Sequence, residues 1–430
     1  MQLTAKEQKT TSTYENIDVN EKISLKKAIP LSLQHLFAMF GASVLVPILF
    51  NIDPATVLFF NGIGTLLYAF ITNKQIPAYL GSSFAFISPV LLLLKNGYSF
   101  EYAQGGFVIS GAVFVIIALL VKKIGIEWIY KLLPPASMGA IVIIIGLELA
   151  PTAVNMAGLT ADNIDSKAII VSLVTLSTVI LVSVSLKGFL KVIPILIGVV
   201  VGYMMACLLG LVDIQPIIDA NFFVLPHLKV AKFDFNAIMI ILPATFVIIA
   251  EHIGHIAVTS NIVGKDLAKN PGLHKSLLGD GVSTIFSGMF GSVPTTTYGE
   301  NIGVMAITKV YSTYVICGAG VLSVVLGFSG KLAAIIKSIP NPVIGGVSIL
   351  LFGIIATSGL RTFIDEKVDF AKSRNLILTS IILIIGLSGL KITFPGLAFE
   401  LKGMSLATVI GILLNILFIL LDKLGIMNEK

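Results

Sequence analysis

The chain has 430 residues, 56% of them hydrophobic and only 12% charged, with a mean hydropathy of +0.98. A soluble domain carries about 25% charged residues, so a water-exposed globular plan is excluded and the chain belongs in a bilayer. The net charge of +6 calls for no nucleic acid, because the basic residues follow membrane topology.

The first thirty residues are polar and lack the basic-then-apolar pattern of a cleaved leader, so residues 1–30 read as a cytoplasmic tail. Fourteen apolar segments follow, at 31–50, 55–72, 77–94, 104–121, 134–150, 168–186, 192–212, 236–259, 274–291, 293–308, 311–330, 340–357, 375–390 and 404–421. Each is long enough, or nearly so, to cross about 30 Å of hydrocarbon as a helix. Cys207 and Cys317 lie inside such segments, behave there as small hydrophobes and define no disulfide framework.

With both termini inside, most Lys and Arg residues fall on the cytoplasmic side, leaving Lys95, Lys167, Lys229, Lys232, Lys331, Lys337, Lys391 and Lys402 outside. That bias has the direction of the positive-inside rule. It places the protein as a multi-pass component of the cell membrane with cytoplasmic termini.

An internal repeat is visible. The fifth span opens "LPPASMGAIVIIIG" and the twelfth "IPNPVIGGVSILLFG", so Pro135, Gly139 and Gly146 share their spacing with Pro342, Gly346 and Gly353. The third span holds "IPAYLGSSFAFISP" and the tenth "VPTTTYGENIGVMA", each a Pro followed by small and polar residues where hydrocarbon is expected. A seven-span offset inverts the second copy relative to the first, the plan of many secondary transporters, whose substrate sites lie at broken segments near the midplane. Spans three and ten are expected to contain short extended segments that pair antiparallel.

Ionisable groups inside spans cost about 2.5–3.5 kcal/mol each at the bilayer centre even on the lenient scale, so they point to function. In the eighth span, "AEHIGH", Glu251 and His255 are four apart and share a helical face, close enough to hydrogen-bond, while His252 turns toward another face. In the tenth, Glu300 follows Gly299 and precedes Asn301. A break there frees the amides of Tyr298, Gly299 and Glu300 and adds the positive end of a half-helix. Two carboxylates that accept and several amides that donate suit a small flat ligand with alternating N–H and C=O groups. Glu148 reads as interfacial, and His35 beside Gln34 is open between a supporting hydrogen bond and core packing.

The segments "SLQHLFAMFGASVLVP", "PAYLGSSFAFISP", "AEHIGH", "TTTYGENIGVMAIT", "ENIGVMAITK" and "NLILTSIILIIG" resemble the nucleobase–ascorbate transporter (nucleobase:cation symporter-2) family, in its bacterial uracil-carrying branch, along nearly the whole chain. The resemblance implies an all-α polytopic membrane protein of two inverted seven-span repeats. It implies a core domain at 31–125 and 231–333, a gate domain at 126–230 and 334–422, and a C-terminal tail at 423–430. Carried over by motif, Glu251 and Glu300 would accept from uracil N–H groups, and the amides of Phe84 and Gly299 would donate to its carbonyls. Tyr298 and Phe84 would pack on the ring, and Ala42 would line the site. His255 would support Glu251 in proton coupling, with His35 and Asn301 as further support. The family implies proton symport without another cofactor or metal, and a homodimer in the bilayer. The rivals are a carrier of the same plan for xanthine, urate, another nucleobase or an inorganic anion, and an intramembrane metalloenzyme built on "EHIGH", whose Glu stands on the wrong side of the first His for a zinc-protease helix.

Overall fold

The computed structural model describes residues 16–160, 165–393 and 400–427, with every side chain among them except that of Ala42. The outermost parts of the two expected tails, residues 1–15 and 428–430, lie outside the described residues. Backbone polar groups in hydrocarbon must be satisfied within their own segment, and the apolar runs accordingly become helices. The first half contains α1 (Leu25–Ala38), α2 (Phe40–Phe50), α3 (Pro54–Ile71), β1 (Leu80–Ser82), α4 (Ile87–Lys95), α5 (Phe100–Ile124) and α6 (Glu127–Leu132). It continues with α7 (Pro135–Glu148), α8 (Ala150–Met156), α9 (Ser166–Ser185), α10 (Pro194–Leu208) and α11 (Gln215–Asp219). The second half contains α12 (Phe235–Val263), α13 (Leu273–Met289), β2 (Thr295–Thr297), α14 (Gly299–Thr308), α15 (Thr313–Leu326) and α16 (Gly330–Lys337). After these come α17 (Asn341–Asp365), α18 (Ser373–Leu387), β3 (Lys391–Thr393), β4 (Glu400–Lys402) and α19 (Gly403–Lys423).

Among the described residues, eight helical stretches are long and apolar enough to cross a membrane: Leu25–Phe50, α3, α5, Pro135–Met156, α9, α12, α17 and α19. Shorter apolar helices occupy Phe84–Lys95, α10, α15 and α18. Two expected boundaries differ. The first helix starts at Leu25, not residue 31: Pro30 sits inside it, and the strand-like residues before it bind the protein, Ile17 pairing with Val310 and Val19 accepting from the Thr313 amide at 2.9 Å. Residues 391–402, with no element expected between spans thirteen and fourteen, contain the antiparallel pair β3–β4.

Two groups of helices pack among themselves. In one, α5 lies on α13 and α12, and α15 lies on α3 and α1; in the other, α17 lies on α7 and α9, α10 on α9, and α18 on α7 and α19. Glycines set the closest crossings. A Cβ on Gly62 would strike the Gly320 carbonyl and one on Gly111 the Gly281 carbonyl, while Gly139 and Gly359 face each other in the same way between α7 and α17. Small residues bring backbones together where lipid supplies no hydrophobic drive.

The expected extended segments are present. β1 and β2 pair antiparallel with Leu80 opposite Thr297, Gly81 opposite Thr296 and Ser82 opposite Thr295. The ladder is buried, and side chains stand in for water: Thr65 Oγ1 accepts from the Leu80 amide at 3.0 Å, and Thr284 Oγ1 donates to the Thr295 carbonyl at 3.0 Å.

Candidate functional site

Each strand runs directly into a helix start. β1 leads through Ser83 into a short 3-10 turn at Phe84–Phe86 and then α4; β2 leads through Tyr298 into α14. The first amides of a helix have no intrahelical acceptor and need a cap. Some helices are capped by a side chain, as by Asp53 to the Thr56 amide at 3.2 Å and Asp234 to the Ala237 amide at 3.0 Å, and others, such as α7 and α10, are not. At Ser83 and Tyr298 no side chain caps the helix, and the Ser83 hydroxyl is buried without a partner. The two starts adjoin: the rings of Phe84 and Tyr298 meet edge to face with centroids 5.9 Å apart. The Tyr298 hydroxyl donates to the Ser82 carbonyl, and Gly81 leaves the room its ring fills, since a Cβ there would press on it.

Into this place two carboxylates project from different elements. Glu300 lies in the first turn of α14 and Glu251 in the middle of α12; they are within electrostatic reach of one another. Neither side chain has a hydrogen bond to another described residue, so their acceptor capacity is free for a ligand. His255 stands beside them, with Nε2 close to Gly299, where an added Cβ would lie 3.6 Å away. Its Nδ1 meets Thr297 Oγ1 at 3.1 Å instead of Glu251. The expected Glu251–His255 hydrogen bond is therefore absent among the described residues: the helix puts both on one face, but the strand claims the imidazole.

Thr297 also ties the strand to a network that sequence reasoning missed. Its Oγ1 lies 3.3 Å from His252 Nδ1, which pairs with Asp280 Oδ2 at 3.0 Å; His252 Nε2 meets Ser276 Oγ at 2.7 Å, and Ser276 meets the Tyr68 hydroxyl at 2.5 Å. Thr296 Oγ1 donates to the same Asp280 oxygen at 3.1 Å. His252 and Asp280 are both fully buried. The signal was available: "LLGDGVS" puts a lone acid inside an apolar segment.

The other expected residues fall around this centre. His35 and Asn301 are buried neighbours from α1 and α14, and among the described residues His35 Nδ1 and both amide atoms of Asn301 have no hydrogen-bond partner. Ala42 lies in α2, next to Ser43, whose Oγ accepts from Asn61 Nδ2 at 3.4 Å. Glu148 is remote from the carboxylates, at the far end of α7. Among the described residues no group of three or more His, Cys, Asp or Glu could hold a metal ion, and the histidines of "EHIGH" both turn a ring nitrogen to Thr297 Oγ1, with His252 also on Asp280.

The chain resembles known proteins at two levels. It is 59% identical over 415 residues to the uracil permease of Escherichia coli strain K12, covering 96% of each chain, and 56% identical over 419 residues to that of Paenibacillus larvae, covering 96% of this chain and 99% of the other. The Bacillus subtilis uracil permease is 48% identical over 400 residues, covering 90% of this chain and 92% of its own length. Among solved structures, SLC26A9 superposes with a TM-score of 0.70 at 12% identity over 93% of this chain and 66% of its own. The transmembrane domain of the cyanobacterial bicarbonate transporter BicA gives 0.61 at 11% identity, over 96% of this chain and all of that one. These likenesses show a transporter fold. A family model described as the Permease family, Xan_ur_permease, matches residues 26–393, and with these relatives it shows that the chain belongs to that permease family.

Proposed function

We propose that this protein imports uracil across the cell membrane by proton symport. The observation that carries the reading is the convergence of two uncapped helix starts, at Phe84 and Gly299, with two carboxylates that have no protein partner, Glu251 and Glu300. The amides donate to the C2 and C4 carbonyls of a pyrimidine, and the carboxylates accept from its N1–H and N3–H. Phe84 and Tyr298 pack on the ring face. An inorganic anion suits the helix starts but not two carboxylates. That relatives at 48–59% identity are uracil permeases supports uracil as the substrate.

Fourteen spans in two inverted repeats account for the packing. Shifting each span by seven turns the pair α3–α15 into α13–α5, α12–α5 into α1–α15, and α17–α9 into α7–α18; β1–β2 and α7–α17 map onto themselves. The group α1–α5 with α12–α15 is the core and α7–α10 with α17–α19 the gate, moving as two bodies about the site. Both termini are cytoplasmic, and the protomers pair through their gates. The coupled proton resides on Glu251, with His255 as its neighbour. The test is uptake of radiolabelled uracil into proteoliposomes with and without an inside-alkaline pH gradient. Saturable uptake that follows the gradient and resists competition by xanthine is expected; uptake indifferent to the gradient removes the symport, and displacement by xanthine but not uracil removes the substrate.

A further inference from the structure

Glu148 is the last residue of α7, and its two oxygens are shared between elements of different helix groups. Oε1 accepts from Ser88 Oγ at 2.7 Å, and Oε2 accepts from the Met404 amide at 3.0 Å. Met404 is in the first turn of α19, so the carboxylate serves as that helix's missing cap. Gly403 makes this possible twice over: its φ of 54° is a left-handed conformation that L side chains rarely adopt, and an added Cβ would collide with the carboxylate. Ser88 is in the first turn of α4, four residues after Phe84.

This contact sits at one end of the molecule. Beside it, Leu92 of α4 and Ile240 of α12 close against Leu401 and Leu406, and Ser405 Oγ donates to the Ile240 carbonyl at 3.3 Å. A cleft of about 350 Å³ lined by Ser88, Leu91, Lys95, Glu148, Lys402 and Gly403 reaches down to the seal. From Ile240, α12 runs past Glu251 to Val263, two residues before Lys265, which pairs with Asp18, so the seal and the chain's N-terminal segment are at opposite ends of the same helix. Toward that other end, Gly254 and Gly303 face open space.

We propose that Glu148 is the latch of the outer seal: it ties the half-helix that carries Phe84 to the start of α19, and the site opens outward only when Ser88 leaves it. The proposal rests on the two-body reading above, but its test needs no substrate. Hydrogen bonds to a charged acceptor are the stronger kind, and the tenfold change expected below corresponds to about 1.4 kcal/mol. In a Cys207→Ser, Cys317→Ser background, a Leu92→Cys reporter is labelled with a membrane-impermeant maleimide from outside intact cells. Ser88→Ala, which spares the α19 cap, and Glu148→Gln, which leaves one oxygen for two donors, are each expected to speed labelling about tenfold. Ser88→Thr keeps the hydroxyl and the parent's rate. Labelling of Ser88→Ala at the parent's rate overturns the latch, and faster labelling of Glu148→Gln alone assigns the carboxylate to the helix cap instead. A reporter that labels in no variant until the protein is unfolded refutes the two-body motion itself, and the latch with it.

Discussion

His252 Nδ1 and Asp280 Oδ2 lie 3.0 Å apart, and neither side chain touches solvent. One comes from α12, beside Glu251, and the other from α13; between them they hold Thr296 and Thr297 of β2. Removing one side of a buried hydrogen-bonded pair leaves the other group unsatisfied, at a cost of about 1–3 kcal/mol. Asp280→Ala is therefore expected to lower the thermal unfolding temperature markedly, and Asp280→Asn, which keeps an acceptor for His252 and Thr296, to lower it less. Equal melting of Asp280→Ala and parent in detergent would show that the pair adds nothing to stability.

The carboxylates should respond differently from their surroundings. Glu300→Gln presents an amide donor where the ligand also donates, and losing a charged acceptor costs about 1.5–3 kcal/mol, or about 10- to 150-fold in Kd. Calorimetry with uracil should show this loss without a change in melting, since Glu300 supports no other described side chain. Glu251→Gln should in addition uncouple uptake from the pH gradient. A Glu251→Gln protein that still concentrates uracil along that gradient would remove Glu251 from proton coupling.

Much of this was legible in the residues, and the reasons are local. A Pro followed by Thr, Ser, Tyr and Gly inside an apolar run cannot be an ordinary membrane helix, so "IPAYLGSSF" and "VPTTTYGEN" disclosed the β1–β2 pair and the half-helices after it. Span limits followed from apolar runs, with α3 found within a residue of the expected 55–72. What depended on tertiary partners was hidden. Glu251 and His255 share a face, but that spacing does not say that Thr297 will take the imidazole. Asp280 was overlooked among the glycines of its span, and its partner lies 28 residues earlier on another helix. The Gly62–Gly320 and Gly111–Gly281 contacts are properties of paired helices and appear in no single segment.

Those glycine crossings give a sharp contrast. A side chain on Gly62 meets the Gly320 carbonyl and the Val324 backbone, which cannot move aside without separating α3 from α15, whereas Gly254 has open space around it. Overpacking costs about 1–3 kcal/mol for a relaxable site, and a backbone obstacle places Gly62→Val at or above the top of that range. Gly254→Ala, inside a helix, should be neutral or slightly stabilising. Comparable yields and melting temperatures for the two variants would mean that the α3–α15 contact tolerates separation.

The N-terminal segment offers a pH test outside the membrane. The Lys265 ammonium bonded to Asp18, with help from the Val19 amide, holds the Asp18 carboxyl below its ordinary range. A lowered carboxylate contributes stability at pH values above its unfolded pKa of about 3.9, and that contribution fades as pH falls through the folded value. The melting difference between parent and Asp18→Asn should accordingly be constant from about pH 5 to pH 8 and shrink as the pH falls below the unfolded pKa of about 3.9. Both side chains are largely exposed, at 45% for Lys265 and 57% for Asp18, so solvent screening limits the pair to about 0.2–1 kcal/mol. Molar salt should erase most of it, because the Debye length shrinks to about 3 Å. A difference that instead grows as the pH drops below 5 would mean that Asp18 is held by something other than Lys265.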